Sequence, residues 1–194
     1  MLVSNDSQPF KDLAGLKKFA EESPGALNYA HLGTGSPTRL LAERAARAMK
    51  IELTPVAYPG IAPAQPDFYA NRTQLQMVAV SKQFINGPST RFVAVCADER
   101  SPMLPDVPTF KELGYPNIVG GTWFGLFVPA GVPDEIKDKL RTAASDAKLV
   151  VKTELEKSGH FLIDAKTPQQ FRAYIDQDLA RSRADLQAMG EKTY

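Results

Sequence analysis

Residues 24–38 read Pro-Gly-Ala-Leu-Asn-Tyr-Ala-His-Leu-Gly-Thr-Gly-Ser-Pro-Thr, and this stretch decides the fold that we expect. The short apolar run at residues 27–30 predicts a strand. The glycines and the proline within residues 33–37 predict a tight turn. Beyond the turn, Leu41 and Ala45 lie on one face of a predicted amphipathic helix, whose arginines are expected to face water.

The rest of the first 122 residues continues this alternation. Helical spacing of apolar residues at 13–20 predicts a helix that ends before Pro24. Further strands are predicted at residues 53–57, 75–80 and 91–96. Thr109 and Glu112 form a capping-box pattern, which predicts a short helix. Strands that alternate with helices favour an α/β fold.

The sequence changes character after a predicted apolar strand at Trp123–Val128. Pro133 opens a long predicted helix whose first turn is acidic, as the helix dipole favours. A short strand is predicted at His160–Ile163. A second capping box at Thr167–Gln170 begins a final helix that ends near Gly190. We therefore expect the last third of the chain to be mostly helical.

Composition excludes several classes of function. The chain has 194 residues, 43% of them hydrophobic and 23% charged, with a net charge of +1. A nucleic-acid-binding protein normally shows a basic excess, so no nucleic-acid partner is expected. No apolar run approaches the ~20 residues that span a bilayer. The first residues lack the basic and apolar segments of a signal peptide.

Catalytic and metal-binding motifs are missing from the sequence. The single cysteine, Cys96, ends an apolar run, where burial keeps a thiol inert. With only His31 and His160, few catalytic triads are possible, and no Gly-x-Ser-x-Gly, His-Glu-x-x-His or phosphate-loop pattern occurs. We therefore expect a protein that is not an enzyme and has no cofactor and no metal site.

The turn at residues 33–38 is the most informative element for function. Glycines let the backbone approach a ligand closely. The first turn of a helix carries unpaired N–H groups and partial positive charge, which suit a carboxylate. Ser36 and Thr38 would add hydroxyl donors. The alternative is a purely structural turn in which Ser36 caps the helix.

Four stretches also resemble motifs of one known family. Residues 24–36 resemble PGxLNYxSxGxGS, and residues 55–64 resemble VPYxGxAPA. Residues 100–109 resemble RSPxLPDVPT, and residues 123–133 resemble WxGLxAPAGTP. Their order and spacing also fit, over nearly the whole chain. The sequence therefore resembles the solute-binding proteins of tripartite tricarboxylate transporters, also called Bug or TctC-like proteins.

The resemblance implies two α/β lobes of the type II periplasmic-binding fold, with a ligand cleft between them. On this template residues 4–122 form the complete second lobe. Residues 123–194 belong to the first lobe, whose opening part, together with the signal peptide, is expected to lie outside this N-terminally truncated chain. The implied protein is periplasmic and captures a small organic carboxylate for membrane transporter subunits.

The same resemblance implies a set of ligand-binding residues. The loop at residues 33–38 would hold a ligand carboxylate, and the loop from Tyr58 to Ala64 would face the same cleft. The expected set is His31, Gly33, Thr34, Gly35, Ser36, Thr38, Tyr58, Gly60, Ala62, Ala79 and Trp123.

Several of these residues have an alternative role that the sequence leaves open. Tyr58 either contacts the ligand or packs in the core with its hydroxyl at the rim. His31, where the family often has Ser, either protonates to strengthen anion binding or is structural. Trp123 either walls the cleft or packs at the hinge. Ala79 stands where relatives often have an Asp for amino-acid ligands, which favours a plain carboxylate.

Two further expectations follow. The alternative function is the effector-binding domain of a LysR-type transcription regulator, which uses the same lobe architecture. The helices after Pro133 bear apolar faces suited to cover a lobe that is partly absent. Because exposed patches of this kind promote association, we expect the chain to self-associate.

Overall fold

The computed structural model describes residues 1–157 and 167–191, so the predicted strand at His160–Ile163 lies outside the described residues. No helix within these two ranges is long and apolar enough to cross a membrane. The elements, in chain order, are β1 (Leu2–Asn5), α1 (Leu13–Glu22), β2 (Asn28–His31), α2 (Pro37–Met49), β3 (Thr54–Ala57), α3 (Ile61–Tyr69), β4 (Leu75–Met77), α4 (Lys82–Ile85), β5 (Thr90–Ala94), α5 (Asp134–Lys157) and α6 (Pro168–Ala188).

The five strands form one mixed sheet in the order β3-β2-β4-β1-β5. β2 pairs in parallel with β3 and β4, whereas β1 runs antiparallel to β4 and β5. The strands β2 to β5 therefore all point in one direction, and their carboxyl ends lie at one edge of the sheet. This arrangement confirms the predicted α/β fold.

The order of the strands places α2 and α3 on opposite faces of the sheet. α2 leads from β2 outward to β3, and α3 leads back past β2 to β4. Because such crossovers are right-handed, these two helices must cover different faces. Leu41 of α2 indeed lies in one hydrophobic cluster and Phe68 of α3 in another. The chain thus reverses direction around β2, and ligand sites of open α/β sheets form at such a point.

Side-chain alternation along the strands fills both cores. Leu2 and Val3 are adjacent in β1 but belong to different clusters, as the period of two requires. The larger cluster lies between the sheet and the helices α1 and α2. The smaller one is formed by Met1, Val3, Phe68, Val78, Phe84 and Leu104. The strands β1, β2 and β4 are therefore buried on both faces of the sheet, whereas β3 at its edge is mostly exposed.

Two local predictions are wrong. Trp123–Val128 forms no strand, and within the described part of the chain no strand runs beside it; Phe124 and Leu126 are 80% and 85% exposed. A strand requires a neighbour to pair its backbone groups. Thr109 and Glu112 do make both capping-box hydrogen bonds, at 2.7 and 3.1 Å, but the segment is a turn. Too few residues remain before Gly114 to extend a helix.

The two C-terminal helices are packed very differently. α5 has 24 residues and none is buried. α6 begins with the predicted capping box at Thr167 and ends before Gly190, which has φ +73°. Asp185 of α6 is only 6% exposed and accepts hydrogen bonds from Arg44 and Arg47 of α2. The prediction that the arginines of α2 face water is therefore wrong for Arg44 and Arg47, because their charges meet the single carboxylate of Asp185 on α6.

Candidate functional site

Two loops meet at the carboxyl edge of the sheet. His31 and Ala57 are the last residues of neighbouring parallel strands and are paired in register. The amide of Tyr58 donates to the carbonyl of His31 at 2.9 Å and ties the loops together. The loop at residues 32–36 then enters α2 on one face, while the loop at residues 58–60 enters α3 on the other. In open α/β sheets, ligands bind between loops that diverge in this way.

The loop before α2 contains the structural turn that the sequence predicted. Gly33 has φ +109°, a left-handed conformation that a side chain would strain, and its carbonyl accepts from the amide of Ser36 at 3.1 Å. The hydroxyl of Ser36 accepts from the amide of Arg39 at 3.3 Å and caps α2. The capping role of Ser36 is therefore confirmed, and it leaves open what the rest of the loop binds.

Three amides of this loop have no hydrogen-bond partner among the residues that the structure describes. They belong to Thr34, Gly35 and Thr38, and the first two residues are exposed. A Cβ built at Gly35 would meet no atom within 4 Å, so the space beside the Cα of this residue is open. Unpaired amides at a helix N-terminus attract anions, because the helix dipole adds partial positive charge there.

The hydroxyl groups of the loop are occupied. Ser36 donates to the carbonyl of Gly33 at 2.7 Å, so the hydroxyl of Thr38, 2.9 Å away, must donate to the oxygen of Ser36. The oxygen of Thr38 also accepts from the amide of Leu32 at 3.2 Å. The expectation that Ser36 and Thr38 offer free hydroxyl donors is therefore wrong for this arrangement. The amides are the donors that remain.

His31 is arranged as a neutral, structural side chain. It is 5% exposed, and its Nδ1 accepts from the amide of Gly33 at 3.1 Å. Burial, followed by the positive charge of Arg39, lowers the pKa of His31 below its ordinary value. A histidine that accepts through Nδ1 and has a lowered pKa is uncharged near neutral pH. The structure therefore favours the structural alternative over protonation, and His31 shapes the loop by holding Gly33.

Arg39 is a residue at this site that the sequence analysis missed. Its Nη1 donates to the hydroxyl oxygen of Thr34 at 2.9 Å, and its Nη2 lies 3.3 Å from the carboxylate of Glu191. The guanidinium thus lies against the loop rather than in water. Its position three residues after the N-cap Ser36 could have suggested this, because a side chain in the first helical turn points back toward the preceding loop.

The second loop contributes a helix start and an engaged tyrosine. Tyr58 is half-buried, and its hydroxyl donates to Asp67 at 2.7 Å. Burial and this contact raise the pKa of Tyr58 to about 12. Gly60 is the N-cap of α3 and has no side chain to occupy the amides of the first turn, where Ala62 is exposed. The hydroxyl of Tyr58 is therefore committed to Asp67.

The last two predicted residues lie in different surroundings. Ala79 follows β4, which pairs in parallel with β2, so it emerges at the same sheet edge and is exposed. Trp123 instead packs against α6: its Nε1 donates to Asp178 at 3.0 Å, and its ring lies 5.8 Å from those of Phe171 and Tyr174. The contacts of Trp123 favour the packing alternative, whereas Ala79 stays a candidate beside the loops.

Other parts of the described structure are weaker candidates for a functional site. An open cavity of about 450 Å³ lies away from the two loops, and Arg44, Asn117 and Arg181 are among its lining residues. Within residues 1–157 and 167–191, no three His, Cys, Asp or Glu side chains are grouped to hold a metal ion. Cys96 is buried, with its sulfur 3.9 Å from that of Met77. The amide-lined edge is therefore the candidate site.

Comparison with known proteins identifies the family. Residues 1–190 match the model of the tripartite tricarboxylate transporter family receptor, TctC. The chain belongs to this family. The match supports the first of the two hypotheses raised by the sequence, since the receptor family is a transport family and not a family of regulators.

Two curated relatives of the chain are longer than it is. A protein encoded in the tcbD–tcbE intergenic region of Pseudomonas sp. strain P51 is 34% identical over 150 residues, which are 76% of this chain and 44% of that protein. Protein BugT of Bordetella pertussis is 26% identical over 197 residues, covering 99% of this chain and 60% of BugT. The chain thus spans about half the length of the relatives that it matches.

Solved structures share the fold over nearly the whole chain. The periplasmic binding protein BugD superposes with a TM-score of 0.82 at 24% identity and shows the fold, covering 100% of this chain and 66% of BugD. MatC from Rhodopseudomonas palustris with bound malate has a TM-score of 0.81 at 28% identity, covering 96% and 65%. A second Rhodopseudomonas palustris protein, with adipate, has a TM-score of 0.80 at 28% identity, covering 98% and 64%.

Proposed function

We propose that this chain is the ligand-binding part of a periplasmic solute-binding protein that captures a small organic carboxylate for a tripartite tricarboxylate-type transporter. The observation that carries the proposal is the set of unpaired amides of Thr34, Gly35 and Thr38 at the start of α2. They lie where the chain reverses direction around β2, and the space beside the Cα of Gly35 is open. This is a site for negatively charged oxygens.

The chemistry of the site favours a carboxylate over other ligands. The free donors of the loop backbone are amides, which recognise charge and shape rather than a particular side group. Two solved relatives of 28% identity carry malate and adipate, both of which are dicarboxylates. Ala79 brings no carboxylate to the site, so an ammonium group of a ligand would find no partner there. A carboxylic acid without an amino group is therefore the expected ligand class.

The proposal also includes the two lobes that enclose the ligand. Residues 4–122 act as the second lobe, and residues 123–194 belong to the first lobe, which closes over the ligand by hinge motion. Trp123 packs at the start of this segment, against α6. The exposed apolar residues of α5 and of residues 124–128 form a surface through which the 194-residue chain self-associates.

The proposal is tested by titrating the ¹⁵N-labelled chain with ligands and following its amide resonances. Dicarboxylates and tricarboxylates should shift the amide signals of Thr34, Gly35 and Thr38, whereas neutral sugars should not. Amide shifts detect millimolar binding, so a weak interaction with a partial cleft stays measurable. Shifts caused by sugars alone would refute the preference for carboxylates.

One matched pair of variants separates the site from the fold. Gly35→Ala places a methyl group in the open space beside the Cα, so the fold should be unaffected and carboxylate binding should weaken about fivefold or more. Gly121→Ala is the control, because its Cβ also meets no atom within 4 Å but lies outside the two loops. Equal binding by both variants would show that the carboxylate does not sit above Gly35.

A further inference from the structure

Arg39 is held beside the loop by partners that a ligand anion could replace. Its side chain is 17% exposed, with Nη1 bonded to Thr34 and Nη2 paired with Glu191, just beyond the end of α6. Its Nε is buried and has no hydrogen-bond partner among the described residues. The guanidinium therefore has donor capacity that the protein itself does not use.

The other ionisable groups near Arg39 are either already hydrogen-bonded or neutral. Glu43, one turn further along α2, accepts a hydrogen bond from the hydroxyl of Tyr29 at 2.5 Å. His31 is neutral near pH 7 for the reasons given above. Glu191 is the carboxylate that pairs directly with the guanidinium, and its own side chain is 38% exposed. The pair is partly buried on the side of Arg39, but its contact is long, at 3.3 Å, and its carboxylate reaches solvent, so a better-placed anion can replace Glu191.

We propose that Arg39 gives the site a preference for ligands with two or more carboxylates, and that such a ligand displaces Glu191 from the guanidinium. The inference rests on the proposed function. A first carboxylate on the amides of Thr34 and Gly35 lies next to the hydroxyl that Arg39 already contacts. A second carboxylate on the same molecule then reaches the fork of the guanidinium, which matches a carboxylate with two parallel hydrogen bonds.

Displacement of Glu191 links the site to the C-terminal end of α6. The same guanidinium cannot serve both carboxylates fully, so ligand and Glu191 compete for it. Because the two carboxylates compete, the free energy of the Arg39–Glu191 pair is lost when the second carboxylate binds, and it lowers the affinity for that carboxylate by the same amount. Removing Arg39 and removing the charge of Glu191 should therefore change dicarboxylate binding in opposite directions, which a purely structural ion pair would not do.

The experiment compares acetate with succinate as probes of the complete 194-residue chain. Dissociation constants are measured from the amide shifts of Gly33 and Gly35 at pH 7.5 and constant ionic strength. Arg39→Gln should weaken succinate binding by about two- to fivefold and leave acetate nearly unchanged, whereas Glu191→Gln should strengthen succinate binding by about two- to fivefold. Arg39→Lys should lie between the wild type and Arg39→Gln, because it keeps the charge but loses the fork.

The control removes one negative charge elsewhere. Glu135→Gln changes an exposed carboxylate of α5 that pairs with Lys139 at 2.6 Å, and it should leave the binding of both probes unchanged. Should Arg39→Gln lose the wild-type amide spectrum, Glu191→Gln decides the question by the sign of its effect. This variant removes a partly exposed charge near the end of the described chain and leaves the loop intact.

The possible results separate the inference from the function on which it rests. If neither probe shifts Gly33 or Gly35 in any variant, the proposed carboxylate site is wrong. If both probes bind but Glu191→Gln leaves succinate affinity unchanged, or Arg39→Gln weakens both probes equally, the carboxylate site stands and the role of Arg39 is overturned.

Discussion

The sheet with its covering helices and the C-terminal helices are held together by different forces. In residues 1–122, apolar side chains from both faces of the sheet are buried in two clusters. In the C-terminal part, α5 buries no residue, and α6 is joined to α2 by the buried Asp185 and its two arginines. An aromatic group around Trp123 adds packing. Apolar burial therefore stabilises residues 1–122, whereas charge pairs hold α6 against α2.

The largest expected effect is a core truncation in the first region. Phe110 is fully buried in the larger cluster, so Phe110→Ala should lower the free energy of unfolding by about 3–5 kcal/mol. Phe124→Ala removes the same side chain from a position that is 80% exposed, and it should cost less than about 0.5 kcal/mol. Urea denaturation followed by circular dichroism measures both. Similar losses would show that residues 123–128 are packed as well as the core.

The next effect tests whether charge holds α6 in place. Asp185→Asn leaves Arg44 and Arg47 without their anion and should lower the free energy of unfolding by about 2–3 kcal/mol. The expected loss is slightly smaller than for a fully buried pair, because Arg47 is partly exposed. Asp176→Asn on the same helix breaks an exposed pair with Arg172 and should cost less than about 0.5 kcal/mol. Both are measured by urea denaturation, and equal costs would refute the anchoring role of Asp185.

A smaller effect is expected at the loop that begins α2. Ser36→Ala removes the capping hydrogen bond to Arg39 and should cost about 1 kcal/mol. The matched control is Ser81→Ala, because Ser81 is the N-cap of α4 but makes no side-chain cap hydrogen bond. Thermal unfolding of the two variants compares them directly. A cost at Ser81 as large as that at Ser36 would mean that the loop hydroxyl does not stabilise the turn.

The sequence predicted the elements of the molecule better than the contacts between them. The strand, glycine turn and helix around Gly33 follow from local spacing, so their place in an α/β fold was predictable. The failures are long-range: Trp123–Val128 has strand composition but pairs with no strand of residues 1–157 and 167–191, and Arg44 reaches Asp185, 141 positions away. Neither partner can be found from periodicity, because pairing depends on what the fold brings together.

At the candidate site, too, the sequence predicted the local backbone but not the contacts of the side chains. The open amides of Thr34 and Gly35 were predictable, since they follow from a glycine turn at a helix start. The state of the side chains was not. The Ser36 and Thr38 hydroxyls are occupied within the loop, and His31 is buried and neutral. Whether a donor is free depends on every group around it, and that is a property of the folded chain.

The smallest expected effect concerns the titration of His31. Its pKa in the folded protein lies below the ordinary value near 6.5, so the unfolded chain binds the proton more readily. Stability linked to His31 is therefore complete above about pH 6.5 and is lost as the pH falls through the lower, folded-state pKa. Urea denaturation between pH 7.5 and pH 5 should show a decrease in the wild type that is smaller in His31→Gln.

This comparison isolates one group, because every other titration, including that of His160, is common to both proteins and cancels in the difference. Proton NMR gives a direct check: the imidazole signal that disappears in His31→Gln should titrate below pH 6.5 in the wild type. A titration above that value would mean that a nearby anion charges His31 in the folded state. The loop would then carry a second cation beside Arg39, and the neutral arrangement around Gly33 would be wrong.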